Sequence, residues 1–111
     1  MNTNLYFSKY FESIGQKLNS IDPKELEQAA SMVWAAHKAD KKIILGGNGG
    51  SAAMASHVAV DFTKAANIRA INFNEADLIT CFANDYGYEH WLEKALEAYA
   101  DQGDVAILIS S

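Results

Sequence analysis

Apolar positions recur along this chain at two different spacings. Over residues 4 to 20, Phe7, Phe11, Ile14 and Leu18, followed by Ile21, advance in steps of four and three. That spacing predicts a helix with a two-per-heptad seam, which Leu5 and Tyr10 widen. Such a stripe either packs on the chain's own core or joins helices of different subunits, because a 3-4 repeat suits bundle crossing angles. A second helix starts at Asp22 as N-cap, with Pro23 at N1 and Glu25 at N3, a capping-box-like opening. Leu26, Ala29, Ala30, Val33 and Ala36 or His37 mark its buried face, and it ends near Asp40. Met32 and Trp34 lie off the centre of that stripe, where they flank the core or meet a neighbouring subunit.

Beyond residue 40 the apolar residues gather into short runs. Ile43, Ile44 and Leu45 predict a strand covered on both faces. Four glycines around Asn48 follow, then a helix from about Ser51 to Ala65. Ala52, Ala53, Ala55, Ser56 and Ala59 are small enough to let that helix lie close to a sheet. A second strand spans Arg69 to Phe73, and a helix capped by Asn74 spans Glu75 to Phe82. Asn84 to Gly87 reads as a loop. A helix from His90 to Asp101 places Trp91, Leu92, Ala95, Leu96 and Tyr99 on its apolar side, with Gly103 as C-cap. A third buried strand, Val105 to Ile109, leads to Ser110 and Ser111. Strands alternating with helices predict an α/β fold with a mainly parallel sheet. Ligands in such sheets bind at the C-terminal ends of the strands. The Gly46–Ser51 turn, the Asn84–Asp85 loop and Ser110–Ser111 all belong to that edge.

Composition narrows the field. A chain of 111 residues, half of them hydrophobic and one a proline, is one globular domain at most. The net charge of −5 and the lack of a basic run argue against a nucleic-acid partner. The single cysteine, Cys81, can form no internal disulfide, so a reducing compartment is expected. Cys81 itself reads as a small buried hydrophobe. With no long apolar stretch and no signal-peptide layout, the reading is a cytoplasmic protein without a membrane partner. His37 and His90 read as solvated or packing residues, and Glu89, Glu93 and Glu97 as a solvated face.

The candidate chemistry sits in KIILGGNGGSAAMASHVAVD, residues 42 to 61. The glycines allow a sharp turn and close approach of backbone to a ligand. Ser51 is the expected helix cap. First-turn N–H groups, with the helix dipole, form an anion site suited to phosphate. His57 and Asp61, four apart, share one helix face. The glycines fall as GGxGG, which is neither a dinucleotide fingerprint nor a Walker loop. By itself the turn leaves open the alternative of a tight strand-to-helix connection without a ligand.

With GGNGGSAAMASHVAVDF, ITCFANDYGYEHW and QGDVAILISS in this order, nearly the whole chain resembles the SIS (sugar isomerase) domain family. Within it, the chain resembles the phosphoheptose isomerases. The resemblance implies a flavodoxin-like αβα sandwich preceded by two N-terminal helices, which form the bundle of a homotetramer. It implies conversion of sedoheptulose 7-phosphate to heptose 7-phosphate, for lipopolysaccharide or related surface sugars. Asn48, Gly49, Gly50 and Ser51 fall in its substrate loop. Asn84 and Asp85 match a second contacting pair, and Ser110 and Ser111 the start of a serine-rich phosphate loop. His57 matches a position that binds zinc in some members. Asp61 matches the catalytic carboxylate, and with His57 makes the candidate metal-binding pair.

Two departures accompany the resemblance. The family's carboxylate is a glutamate, and Asp61 is one methylene shorter, roughly 1.5 Å of reach. A misplacement of that order costs about a hundredfold in rate. The chain also stops inside the expected phosphate loop, ahead of the family's later strands and of a helix carrying a further histidine and glutamine. The expectation is one incomplete SIS domain, residues 1–40 its helical hairpin and 41–111 the first half of its core, inactive in isolation. Three functions stay open: a phosphosugar isomerase, a non-catalytic phosphosugar-binding module, and a scaffold like the SIS-fold partners of the bacterial replication initiator. The His57–Asp61 pair favours the first over the third.

Overall fold

The computed structural model describes residues 2–111. The chain divides into two compact units, one ending at Ser31 and the other spanning Met32–Ser111. The division falls inside the second helix.

The first unit holds helix α1, Thr3–Asn19, and the opening of helix α2, Pro23–Lys38. Asn2 caps α1, its side chain accepting from the Leu5 N–H at 3.1 Å. Asp22 begins α2 as the sequence predicts, accepting from the Lys24 N–H at 2.9 Å. The seam on α1 is real in its spacing but uncovered: Leu5, Phe7, Phe11, Ile14 and Leu18 are all exposed. Leu26, Ala29 and Ala30 on α2 are exposed too, against the expectation of burial. Periodicity marks a face that resists water, but not what covers it.

The second unit is built on strand β1, Ile43–Gly47. It is followed by helix α3 (Gly50–Lys64), strand β2 (Ala70–Asn72), helix α4 (Ala76–Tyr86), a 3-10 turn (Tyr88–His90), helix α5 (Trp91–Tyr99) and strand β3 (Val105–Ile109). The sheet order is β2-β1-β3, with both pairings parallel. Ile43 faces Ala70 on one side and Val105 on the other, and Gly47 faces Ile109. Strand side chains alternate between faces. Ile43 and Leu45 therefore pack with Ala36, Ala55, Ala59 and Ile68, while Ile44 packs with Phe73, Trp91 and Ala95. Helices thus cover both faces of the sheet, an αβα sandwich. Ile43, Ile44 and Leu45 are almost wholly buried, each worth about 1.5–3 kcal/mol of apolar burial.

Several boundaries move from the sequence reading. Ser51 does not cap α3; the N-cap is Gly49, with φ +56° and no side-chain cap bond. Asn74 does not cap α4; Glu75 does, accepting from the Leu78 N–H at 2.9 Å. Asn84 and Asp85 are the last turn of α4 rather than a loop, which begins only at Gly87. Helix α5 stops at Tyr99 with Ala100 as its C-cap, and Gly103 instead shapes the Asp101–Asp104 turn. Among the described residues strand β3 is the edge of the sheet and is not fully buried, with Leu108 63% exposed. Cys81 is exposed rather than buried.

An ion cluster fastens the N-terminal ends of β1 and β3. The Lys42 Nζ lies 2.7 Å from Asp101 and 2.5 Å from Asp104. Asp104 also accepts from the backbone N–H groups of Lys42 (3.0 Å) and Asp101 (2.7 Å). Burial alone would push the Asp104 carboxyl up. The Lys42 ammonium and the two N–H donors outweigh it and lower it from 3.8 to about 2. Hydrogen bonds from Lys42 to Asp101 and Asp104 raise the ammonium's pKa in turn.

Candidate functional site

The site grows from the end of β1. Gly46 and Gly47 remain in the strand, and α3 begins three residues after it ends. A Cβ at Gly47 would lie 2.5 Å from the carbonyl carbon and oxygen of Ser51. No side chain fits there, so Gly47 lets the first turn of α3 close over the strand end. Ser51 N–H turns back to the Asn48 carbonyl at 3.0 Å, and Ala53 N–H to the Gly49 carbonyl at 3.2 Å. The N–H groups of Gly50 and Ala52 have no backbone partner among the described residues. They are free donors of the kind that bind anions at helix starts.

Beside this turn opens a cavity of about 420 Å³. Gly47, Asn48 and Gly49 form one side, and Ala52, Ala53 and Ser56 of α3 another. Asn74, Ala76, Ile79, Tyr88 and Trp91 complete the wall. Its polar side chains, Asn48, Ser56, Asn74 and Tyr88, carry no formal charge. Asn74 donates to the Ala52 carbonyl at 2.9 Å and to the Ser56 hydroxyl at 2.8 Å, tying the β2–α4 connection to α3. The Tyr88 hydroxyl is hydrogen-bonded to the Asn48 side chain. A mixed wall of amides, hydroxyls and apolar surface suits a polyol, whose hydroxyls need partners and whose carbons need cover.

The structure brings together only part of the predicted site. Asn48 and Gly49 line the cavity, with Gly50 and Ser51 opening the adjoining helix. His57 and Asp61 meet on α3, Nε2 to Oδ2 at 3.6 Å, but both are exposed and outside the cavity wall. The reason is helical phase. Ala55 and Ala59 face the sheet, and residues two further on point about 200° away at 100° per residue. Asn84 and Asp85 bond to each other at 3.1 Å, also outside the wall, and Ser110 and Ser111 follow β3 in the open. Asn74, Ser56, Tyr88 and Trp91 were not singled out by motif as site residues. Tyr88 and Trp91 fall inside the ITCFANDYGYEHW segment, but nothing within it marks them as site residues.

A zinc ion needs three or four donors. No group of three His, Cys, Asp or Glu side chains that could hold a metal occurs among the described residues. His57 and Asp61 supply two donors and do not form a zinc site by themselves. Cys81 is a poor nucleophile. The Asp85 carboxylate beside it, with some desolvation and a 3.7 Å contact from the thiol, raises the thiol's pKa.

Residues 7–111 match the SIS domain family. The chain belongs to the SIS domain family. This SIS chain is 38% identical over 93 residues to the phosphoheptose isomerase of Fusobacterium nucleatum, covering 79% of the chain and 48% of that relative. It is 36% identical over 95 residues to the phosphoheptose isomerase of Clostridium acetobutylicum, with the same coverages of 79% and 48%. It therefore spans about half the length of these relatives. Among solved structures, the phosphoheptose isomerase GmhA from Neisseria gonorrhoeae superposes with a TM-score of 0.87 at 32% identity. That match covers 100% of this chain and 62% of GmhA. The αβα architecture of this SIS chain is thus the fold of GmhA. None of its described helices is long and apolar enough to cross a membrane.

Proposed function

We propose that this SIS chain is part of a cytoplasmic sugar-phosphate isomerase that converts sedoheptulose 7-phosphate to D-glycero-D-manno-heptose 7-phosphate. The observation that carries this reading is the combination on α3. Its first turn leaves the Gly50 and Ala52 N–H groups free for an anion, and its later turns carry the His57–Asp61 contact at 3.6 Å. The reaction moves a proton between adjacent carbons. A base takes a proton from C1, the C1–C2 enediol forms as the carbonyl oxygen gains a proton, and a proton returns to C2 as O1 gives up its own. Asp61 is the proposed proton carrier and His57 the group that polarises the oxygens. Phosphate held away from the reacting carbons positions them. Asn84, Asp85, Ser110 and Ser111 are proposed as further contacts to the same substrate.

Asp61 lies eleven residues beyond Gly50, about 16 Å along the helix axis. One heptose phosphate anchored at the turn does not span that distance within one copy. The reading therefore includes assembly, with copies associating as a tetramer through the exposed apolar stripe of α1. Any zinc would take His57 and Asp61 and need at least one further donor.

The test is an isomerase assay on the full-length gene product, with and without added zinc, beside Asp61→Asn. Turnover that drops about a hundredfold or more in the variant supports the assignment. No wild-type turnover, with sugar-phosphate binding intact, refutes the isomerase. The position of His57 and Asp61 outside the cavity wall favours one second reading, a non-catalytic phosphosugar-binding module, which that outcome would support.

A further inference from the structure

Two hollows flank Asn48. One is the 420 Å³ cavity; the other, of about 270 Å³, lies between Gly46, Leu92, Leu108 and Ile109. Gly47, Asn48, Tyr88 and Trp91 belong to both walls, so the Tyr88–Asn48 hydrogen bond stands on the partition between them. Asn48 needs an external hold. It sits between two glycines, one at φ +56°, and is itself exposed. Among the described residues, Tyr88 is the only partner its side chain has. Tyr88, by contrast, is anchored. Its 3-10 turn closes with the His90 N–H donating to Gly87 at 3.0 Å, and it leads directly into Trp91, 6% exposed in the core.

We infer that Tyr88 is a positioning residue: its hydroxyl holds the Asn48 side chain in the orientation that receives the phosphosugar. The inference rests on the proposal that Asn48 contacts substrate. Tyr88 acts through Asn48, so its hydroxyl contributes to binding only while Asn48 is there. A residue that merely supported the fold would act whether or not Asn48 remained.

The experiment is a double-mutant cycle on the full-length protein, titrated calorimetrically with sedoheptulose 7-phosphate: wild type, Tyr88→Phe, Asn48→Ala and the double variant. Phenylalanine keeps the ring that lines both hollows, and a melting curve for each variant reports the fold. The expected result is a Kd raised about fivefold to tenfold by each single change. The double variant should be no weaker than Asn48→Ala alone, the non-additivity of groups acting as a unit. Binding in Tyr88→Phe equal to wild type, with Asn48→Ala impaired, overturns the positioning role and leaves the substrate site intact. Effects that multiply in the double variant also overturn it, because Tyr88 then acts independently. An Asn48→Ala variant that binds normally overturns the substrate site, and the inference with it.

Discussion

Replacing Asp104 with asparagine tests whether the ion cluster at the foot of the sheet contributes what its geometry implies. The carboxylate accepts two backbone N–H bonds and pairs with Lys42, and its side chain is 4% exposed. Its pKa of about 2, against an ordinary 3.8, corresponds to roughly 2.4 kcal/mol at about 1.36 kcal/mol for each pH unit. Lys42 and Asp101 keep contact with water, and screening brings this to about 1–2 kcal/mol. Because the folded-state pKa is depressed, this stability is fully present above pH 3.8 and is lost as pH falls toward 2. Asp104→Asn removes the charge and turns one acceptor into a donor facing Lys42 or Asp101. At pH 7 the variant should lose about 2 kcal/mol, moving a urea midpoint down by about 1 M for a slope near 2 kcal/mol/M. At pH 2 the wild-type carboxyl is about half protonated in the folded protein, and the gap between the two curves should shrink to a small fraction of its pH 7 size. A gap of the same size at both pH values would show that packing, not charge, is responsible, and the electrostatic account would be wrong.

Other outcomes follow from the site. Gly47→Ala should cost about 1–3 kcal/mol of stability, since the new methyl meets Ser51 backbone at 2.5 Å; an unchanged melting temperature would refute the close-approach argument. Under the isomerase reading, Asp61→Glu, which keeps the carboxylate, should retain more activity than Asp61→Asn, which loses about a hundredfold or more, both read from initial rates; equal losses would remove Asp61 from proton transfer. Cys81 should react with iodoacetamide more slowly at pH 7.5 than a free thiol, and faster once Asp85→Asn removes the carboxylate that raises its pKa. No acceleration in that variant would mean the 3.7 Å contact does not govern the thiol.

Much of the fold was legible because local and tertiary signals agreed. Ile43 to Leu45 is too short and too apolar for an exposed helix, and it is the central strand. Val105 to Ile109 was found for the same reason, but its burial was not, since a run of apolar residues does not say which neighbours lie beside it. Caps were harder. Ser51 and Asn74 both have the right chemistry, yet Gly49 and Glu75 hold the cap positions. At Asn74 a tertiary demand won: its amide is taken by the Ala52 carbonyl and Ser56. Asn84 and Asp85 are read as turn formers by propensity, but α4 gains one more turn before Gly87 ends it. Within the candidate site, Asn48 and its glycines announced themselves through spacing. Tyr88 did not, because its partner is 40 residues away and no local pattern records such a pairing.

The sheet has a polarity that separates two kinds of work. Lys42, Asp101 and Asp104 fasten its strands at one end, and the glycine turn opens at the other. Strand β1 has five residues, about 16 Å at roughly 3.3 Å each, or about two screening lengths at physiological salt. Removing one unit charge at the anchor therefore changes the energy of a unit charge at the turn by only about 1 kcal/mol at an effective dielectric near 20. Acid tolerance and ligand chemistry thus belong to different residues at opposite ends of one strand, kept apart by its length.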